Sequence, residues 1–209
     1  MERPVVPFGK PRPERADAVR NRQLLLDTVR LMLGECGGAE GVTMDGLAER
    51  AGLGKGTVFR RFGTRAGIFR ALLDADEQDF QRRVLEGPPP LGPGADPADR
   101  LVAYGRERTA FLFRRHVLAR AALDRNEPVP AGQSFTRLHI RMLLGLAAPG
   151  TPAVDALAVQ LTAALEGPML LYLAVPEEGA PGALEGAEGE FAEAWTVLVR
   201  RLLGPLPAE

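Results

Sequence analysis

The chain has 209 residues, of which 45% are hydrophobic and 25% charged, as in a soluble globular protein. A single cysteine excludes a disulfide framework, and the Pro- and Arg-rich start does not resemble a secretory signal. No uninterrupted apolar run approaches the roughly 20 residues of a membrane helix, so we expect a cytoplasmic protein without a membrane segment. Residues 1–65 carry 12 basic and 8 acidic side chains, and the remainder 14 and 19, so an anionic partner is expected for the N-terminal third only.

The chain is predicted to begin with a disordered arm and a first helix. Residues 1–15 contain four prolines, which break any regular element. From Asp17 onward apolar residues recur at spacings of three and four, which predicts a helix that ends at Gly37-Gly38. Its inward face is predicted to consist of Val19, Leu24 or Leu25, Val29, Met32 and Leu33.

Two short helices follow the first one. Thr43 is the predicted N-cap of a helix that stops at Gly52, and a second helix runs from Gly54 or Lys55 to Phe62-Gly63. A glycine at position 52 permits the positive φ of a tight turn. Two helices of about two turns each, joined in this way, predict a helix-turn-helix. Its inward positions are Leu47, Ala48, Ala51, Val58 and Phe62.

The remaining elements predict a helical bundle. Thr64 caps a connecting helix that ends near Leu85, and the Gly- and Pro-rich segment 87–97 is a linker. No alternating β-branched run predicts a sheet. The predicted fold class is therefore all-α, with a three-helix helix-turn-helix head at residues 16–65 and an antiparallel helical bundle, including the connecting helix, at residues 66–209. The five later helices are predicted over approximately Ala98–Arg114, His116–Asn126, Ser134–Ala147, Val154–Val175 and Glu188–Leu203.

The outer face of the second short helix is basic and bears a hydroxyl group. Its free N-terminus also attracts phosphate. The helix-turn-helix context favours DNA contact over the alternative, which is a solvated surface helix. Phosphate contacts are expected from Lys55 and Thr57, and base contacts from Arg60 or Arg61, between which the spacing does not decide. The candidate DNA-binding residues are Thr43, Gly54, Lys55, Gly56, Thr57, Phe59, Arg60 and Arg61.

The segment from Thr43 to Phe69 closely resembles the DNA-binding signature of the TetR family of bacterial transcription regulators. This resemblance implies a homodimer, usually a repressor, that binds double-stranded, pseudo-palindromic operator DNA. It also implies that a small molecule in the bundle releases the operator, and it implies no cofactor. Gly54 and Phe59 depart from the serine and tyrosine of many relatives, which lowers the expected affinity for the DNA backbone. The matching elements are Thr43, Leu47-Ala48, Ala51-Gly52, Lys55-Gly56-Thr57, Phe59, Phe62 and Thr64-Arg65.

The bundle offers candidates for a ligand pocket and for a dimer interface. Pro168, preceded by Gly167, is expected to bend a long apolar helix, and such bends often border cavities. The last helix is apolar on more than one side, which favours a second copy as its partner. Aromatic, sulfur and polar candidates for an apolar or aromatic ligand, which are ordinarily core residues, are Tyr104, Arg108, Phe111, Phe135, His139, Met169 and Tyr172. The candidate interface residues are Leu161, Leu165, Trp195, Leu198 and Leu202.

Two other classes of function are considered. An enzyme is disfavoured because the chain has two histidines, one cysteine, no Gly-rich phosphate loop and no metal-ligand spacing, so no catalytic or metal site is predicted. A helical interaction protein that has lost DNA binding is opposed by the basic face of the second short helix, and a gel shift at low salt separates the two. Repressor and activator both remain open, because the sign of regulation depends on where the operator lies.

Overall fold

The computed structural model describes residues 13–36, 38–123, 135–174 and 186–204. Within these ranges the chain is helical and contains no strand, which confirms the all-α prediction. The helices are α1 (Pro13–Cys36), α2 (Met44–Ala51), α3 (Lys55–Phe62), α4 (Arg65–Glu86), α5 (Pro97–Arg114), α6 (His116–Ala121), α7 (Phe135–Ala147), α8 (Val154–Ala174) and α9 (Glu188–Leu203).

Several predicted helix bounds change. The first helix begins at Pro13, within the predicted arm, because a proline in the first helical turn has no N–H to lose. Val19 was predicted to face inward but is 68% exposed. Of the alternatives Leu24 and Leu25, it is Leu25 that is buried, together with Leu26. The helix that begins at His116 ends at Ala121, earlier than predicted. Residues 1–12 of the predicted arm, and positions 124–126, 134 and 175 of predicted helices, lie outside the described residues.

The chain forms two compact units, Met1–Leu72 and Leu73–Glu209. The division lies within α4, seven residues beyond the predicted end of the head at position 65. The reason is that the first apolar turns of α4 are buried at Ile68, Phe69 and Leu72. The helix α4 is therefore the continuous covalent link between the units.

The first unit is built on short amphipathic helices. The helix α1 packs on α2, and α2 packs on α3. Each short helix buries two apolar residues. In α2 these are the neighbours Leu47 and Ala48, and in α3 they are Val58 and Phe62, which are one turn apart. Ala51, which was also predicted to face inward, is only half-buried. These contacts fix the orientation of α3, and hence which of its residues face solvent.

The second unit is centred on α5, which packs against α7, α8 and α9. The closest approach is at Gly105, where an added Cβ atom would lie 1.9 Å from Nε1 of Trp195. The same indole nitrogen donates a hydrogen bond of 3.0 Å to the carbonyl of Leu101. A glycine at this position therefore lets α9 lie against α5. The core contains Phe80, Val84, Leu101, Tyr104, Ile140, Leu143, Leu144, Ala158, Leu161, Leu165, Trp195 and Val199.

The helix α8 is unusually apolar for its degree of burial. By length and composition alone, α8 is long and apolar enough to cross a membrane. No such helix was predicted, because its apolar residues do not form one uninterrupted run. Only 22% of its most apolar stretch is buried. Its Glu166 nevertheless forms an ion pair with Arg108 of α5, as expected of a helix that packs within a protein. Much of the apolar surface of α8 is thus left uncovered.

Candidate functional site

The turn between α2 and α3 has the geometry of a helix-turn-helix. Thr43 Oγ1 accepts a hydrogen bond of 3.0 Å from the backbone N–H of Gly46, which confirms its predicted role as N-cap. Gly52 has φ 64°, in the left-handed region, and its N–H donates to the carbonyl of Glu49. Gly54 precedes α3 without a side-chain cap. Because the Thr43 oxygen acts as the acceptor, its hydroxyl hydrogen is still available to an external phosphate.

The helix α3 presents its candidate residues to solvent. Val58 and Phe62 are buried, and at about 100° per residue the opposite side of the helix is centred on Arg60. Thr57 lies beside that centre and is half-buried. The remaining candidates of this helix, Lys55, Gly56, Phe59 and Arg61, are exposed.

Two of the basic side chains contact neighbouring helices. Lys55 Nζ lies 2.9 Å from a carboxylate oxygen of Asp45 in α2, with both side chains more than 60% exposed. Such a pair contributes at most about 1 kcal/mol, so a phosphate can compete for the lysine. Arg61 donates to the carbonyl of Ala18 in α1, at 3.3 Å.

A groove of about 320 Å³ runs between α1 and α3. Its cationic side chains come from both helices, with Arg22 on α1 and Arg60 and Arg61 on α3. Among the described side chains of the lining, Asp17 is the one acidic residue. A concentration of arginine at the edge of α3 suits a polyanion. The complete lining is Asp17, Ala18, Asn21, Arg22, Leu25, Thr57, Arg60 and Arg61.

Arg65 is a positioning residue to which sequence reasoning assigned no role. Its guanidinium donates to the carbonyls of Val42, at 2.8 Å, and Ala39, at 2.5 Å. These bonds tie the start of α4 to the loop that leads into Thr43. The first turn of α4 is also packed tightly against the end of α3, since a Cβ atom at Gly67 would lie 1.9 Å from the carbonyl oxygen of Phe62. The position of this basic residue directly after Thr64 in the motif was the signal that could have identified it. Its contacts could not be predicted, because its backbone partners are more than 20 residues away.

In the second unit, five of the seven ligand candidates form one aromatic and polar cluster. The ring of His139 stacks on Phe135, at 5.5 Å and nearly parallel, and lies 4.8 Å from Tyr104. Phe80, which the sequence reasoning missed, joins Tyr104 to Phe111. We call Phe80, Tyr104, Arg108, Phe111, Phe135 and His139 the polar-aromatic cluster.

The other two ligand candidates lie apart from this cluster. Tyr172 packs edge-on against His116 and beneath the guanidinium of Arg120. Met169 is buried in α8. A site at the polar-aromatic cluster therefore does not need either residue.

The polar-aromatic cluster contains a buried cation held by two carboxylates. Arg108, 8% exposed, donates to Glu77 of α4 at 2.5 Å and to Glu166 of α8 at 3.1 Å. Its guanidinium also lies over the rings of Phe80 and Phe111. Arg108 thus joins α4 to both α5 and α8.

The titratable groups of the cluster are strongly perturbed. Burial raises the pKa of Tyr104. Burial, and secondarily the positive charge of Arg100, lowers the pKa of His139 to about 4, so its imidazole is neutral near pH 7. Nε2 of His139 and Nε of Arg108 are buried and have no hydrogen-bond partner among the described residues. An unsatisfied buried nitrogen is costly and therefore requires an explanation, of which a functional role is one.

A separate apolar pocket of about 210 Å³ borders Pro168, as expected for a cavity beside that proline. It lies between α5, α8 and α9, and α8 continues through Pro168 as one helix. None of the seven ligand candidates lines it. The lining residues are Thr109, Phe113, Ala164, Leu165, Pro168, Phe191, Ala194, Trp195 and Leu198.

The structure divides the candidate dimer residues into two groups. Leu161, Leu165 and Trp195 are at most 5% exposed, in the core of their own chain. Their assignment to an intermolecular surface is corrected accordingly, because packing within the chain already covers them. Leu198 and Leu202 are 43% and 37% exposed and stay candidates for contact with a second copy.

Residues 31–72 match the family model described as bacterial regulatory proteins, tetR family. The matched range extends from within α1 to the part of α4 that belongs to the first unit, and it contains every DNA-binding candidate. A search of curated proteins found no match.

Proposed function

We propose that this chain, which belongs to the TetR family of bacterial regulatory proteins, is a cytoplasmic repressor whose operator is released by a small apolar or aromatic molecule. Its first unit carries the DNA-binding domain of a transcription regulator. The observation that carries the proposal is the outward face of α3, where Gly56, Thr57 and Arg60 stand opposite the buried Val58 and Phe62.

The DNA-binding step is tested by selection from randomised duplexes. We expect the protein to enrich an inverted repeat, because two copies related by a two-fold axis present two α3 helices. Affinity should fall steeply with salt concentration, since phosphate neutralisation releases counterions. Enrichment of no duplex at low salt would favour the alternative of a helical interaction protein.

The proposed dimer rests on the uncovered apolar surface of α8 and α9. Leu170 and Leu171 of α8 are 60% and 73% exposed. Large apolar side chains of α9 are exposed as well. Exposed apolar surface on these helices favours a protein partner, and a second copy would supply the two-fold symmetry that an inverted repeat requires.

We place the effector at the polar-aromatic cluster, where buried ring faces and unsatisfied nitrogens occur together. An effector that engages Arg108 competes with Glu77, and Glu77 lies on α4, the helix that continues into the DNA-binding unit. The ion pair between Arg108 and Glu77 is then the contact through which the effector acts on the DNA-binding unit.

Coupling between effector and operator is reciprocal, typically about 5- to 150-fold. Thermal-shift screening with aromatic compounds should yield ligands that weaken operator binding. Operator DNA should in turn lower the affinity for each ligand by the same factor. Glu77→Gln should lower operator affinity without any ligand. Glu107→Gln is the matched control, because Glu107 forms an exposed pair with Arg83 across the same two helices. Ligands that leave operator affinity unchanged would contradict the switch.

The sign of regulation is tested separately in cells. A repressor predicts that deletion of the gene raises transcription from a promoter that contains the selected operator. A fall in transcription would identify an activator with the same DNA-binding surface.

A further inference from the structure

Arg60 and Arg61 are adjacent and chemically identical, but the helix places them on different sides. Arg60 is two residues from Val58 and two from Phe62, so it lies about 160° to 200° around the axis from these buried side chains. Arg61 lies only about 60° from Val58, on the flank of the helix. The outward direction of α3 is therefore the direction of Arg60.

The surface one turn before Arg60 carries no side chain. Gly56 precedes Arg60 by four residues, so the two positions share one face of the helix. No atom lies within 4 Å of the position that a Cβ of Gly56 would occupy. Packing within the chain therefore does not require glycine here. A helix without a side chain at this position can approach a base pair closely, with the Arg60 side chain directed along the same face.

Arg61 lies about 100° around the helix axis from Arg60 and reaches toward α1. Its guanidinium donates to the carbonyl of Ala18 at 3.3 Å, across the groove between α1 and α3. Arg60 also lines this groove, but no contact of its guanidinium to α1 is found in the described part of the chain. The backbone carbonyl thus directs Arg61 away from the outward face of α3.

We propose that Arg60 is the specificity-determining residue and reads a guanine in each half-site, whereas Arg61 contacts phosphate beside α1. The inference rests on the proposed DNA-binding function and assigns different roles to the two arginines. An arginine that points into the major groove donates two hydrogen bonds to O6 and N7 of guanine. An arginine on the flank neutralises charge without discriminating between bases.

The test compares Arg60→Gln with Arg61→Gln, which make the same change one residue apart. Glutamine pairs preferentially with the N6 and N7 atoms of adenine. Selection from randomised duplexes should therefore show that Arg60→Gln replaces guanine by adenine at one position of each half-site. Its affinity for the wild-type operator should fall by about 5- to 150-fold for each half-site, as expected for loss of one bidentate contact in each.

Arg61→Gln should retain the guanine preference and weaken all duplexes by a similar factor. The slope of log affinity against log salt should become shallower by about 1 for each half-site, and so by about 2 for the dimer. Circular dichroism verifies that both variants are folded. Arg60→Lys is a further variant, which keeps the positive charge and should retain binding to the wild-type site.

The outcomes separate this inference from the proposed function. If the wild-type protein enriches no duplex, the DNA-binding function itself fails. If the wild type enriches an inverted repeat but Arg61→Gln changes the base preference, or Arg60→Gln does not, the assignment of Arg60 is overturned.

Discussion

Gly56 weakens α3 as a helix and opens its surface for a partner. A glycine within a helix costs about 0.5–1 kcal/mol relative to alanine, because more backbone freedom is lost on folding. Since no neighbouring atom lies near the missing Cβ, packing within the chain does not explain this cost. The proposed close approach of DNA would account for it.

We predict that Gly56→Ala raises the stability of the first unit by up to about 1 kcal/mol and lowers operator affinity. Thermal unfolding and DNA titration measure the two effects on the same sample. Gly34→Ala is the control, since Gly34 is an exposed glycine of α1 whose Cβ position is as open as that of Gly56. It lies far from α3, because sixteen residues, or about 24 Å of helix, separate it from Ala18, the residue of α1 that Arg61 contacts. The control should be stabilised without loss of affinity. A gain in stability of Gly56→Ala with unchanged DNA binding would contradict the close approach.

His139 makes the stability of the second unit dependent on pH. Its pKa is lowered from the ordinary value of about 6.5 to about 4 in the folded chain. The unfolded chain therefore binds more protons between these values. The contribution of His139 is fully present above the unfolded pKa and is lost as the pH falls toward the folded one. Acid thus destabilises this unit.

We predict that the free energy of unfolding falls by up to roughly 3 kcal/mol between pH 7 and pH 4.5 because of this histidine. In His139→Phe, whose ring can stack on Phe135, this component of the pH dependence should disappear. Urea unfolding followed by fluorescence is suitable, because Trp195 is the only tryptophan and lies in the same unit. Parallel pH profiles for the two proteins would show that His139 is not the titrating group.

At the scale of elements, the contact between α5 and α9 depends on one small residue. The indole of Trp195 occupies the space beside Gly105, with Cε2 only 2.0 Å from where a Cβ would lie. Its N–H bond to the Leu101 carbonyl fixes the ring in that position. A rigid ring and a helix backbone cannot both move aside without loss of packing.

We predict that Gly105→Ala lowers the free energy of unfolding by about 1–3 kcal/mol or more, as expected for overpacking of a core. The fluorescence of Trp195 should shift to the red, because displacement of the ring exposes it to water. Gly145→Ala in α7 is the matched control, since nothing lies within 4 Å of its Cβ position. If Gly105→Ala matches this control in stability and emission, the close approach of the two helices is wrong.

At the scale of the whole molecule, the sequence was most informative where structure is local. Thr43, Gly52 and the spacing of Val58 and Phe62 determine caps, a turn and a helix face within a few residues of themselves, and these predictions were confirmed. The periodicity of α9 showed that the helix has two apolar sides. It did not show which side is buried against the rest of the chain. The buried side is determined by the contact of Trp195 with Gly105, which is 90 positions away along the chain.

The charged contacts of the bundle were equally hidden. Arg108 was a polar candidate for the ligand pocket, but its partner Glu77, on another helix and 31 residues away, was not predicted. No local pattern links the two, because an ion pair leaves no periodicity in the sequence. Only the packing of α4, α5 and α8 brings these charges together.

Tight operator binding by the proposed dimer should depend on both of its subunits, because one head alone contacts only one half-site. Leu198 of α9 is 43% exposed, so Leu198→Arg places a charge on the proposed interface without disturbing the core. We predict that this variant sediments as a folded monomer and loses tight binding to the inverted repeat. Leu165→Arg should instead unfold the second unit, since Leu165 is only 5% exposed. Leu146→Arg, on an exposed leucine of α7, is the control and should remain dimeric with full affinity. A wild-type protein that sediments as a stable monomer at micromolar concentration would refute the dimer.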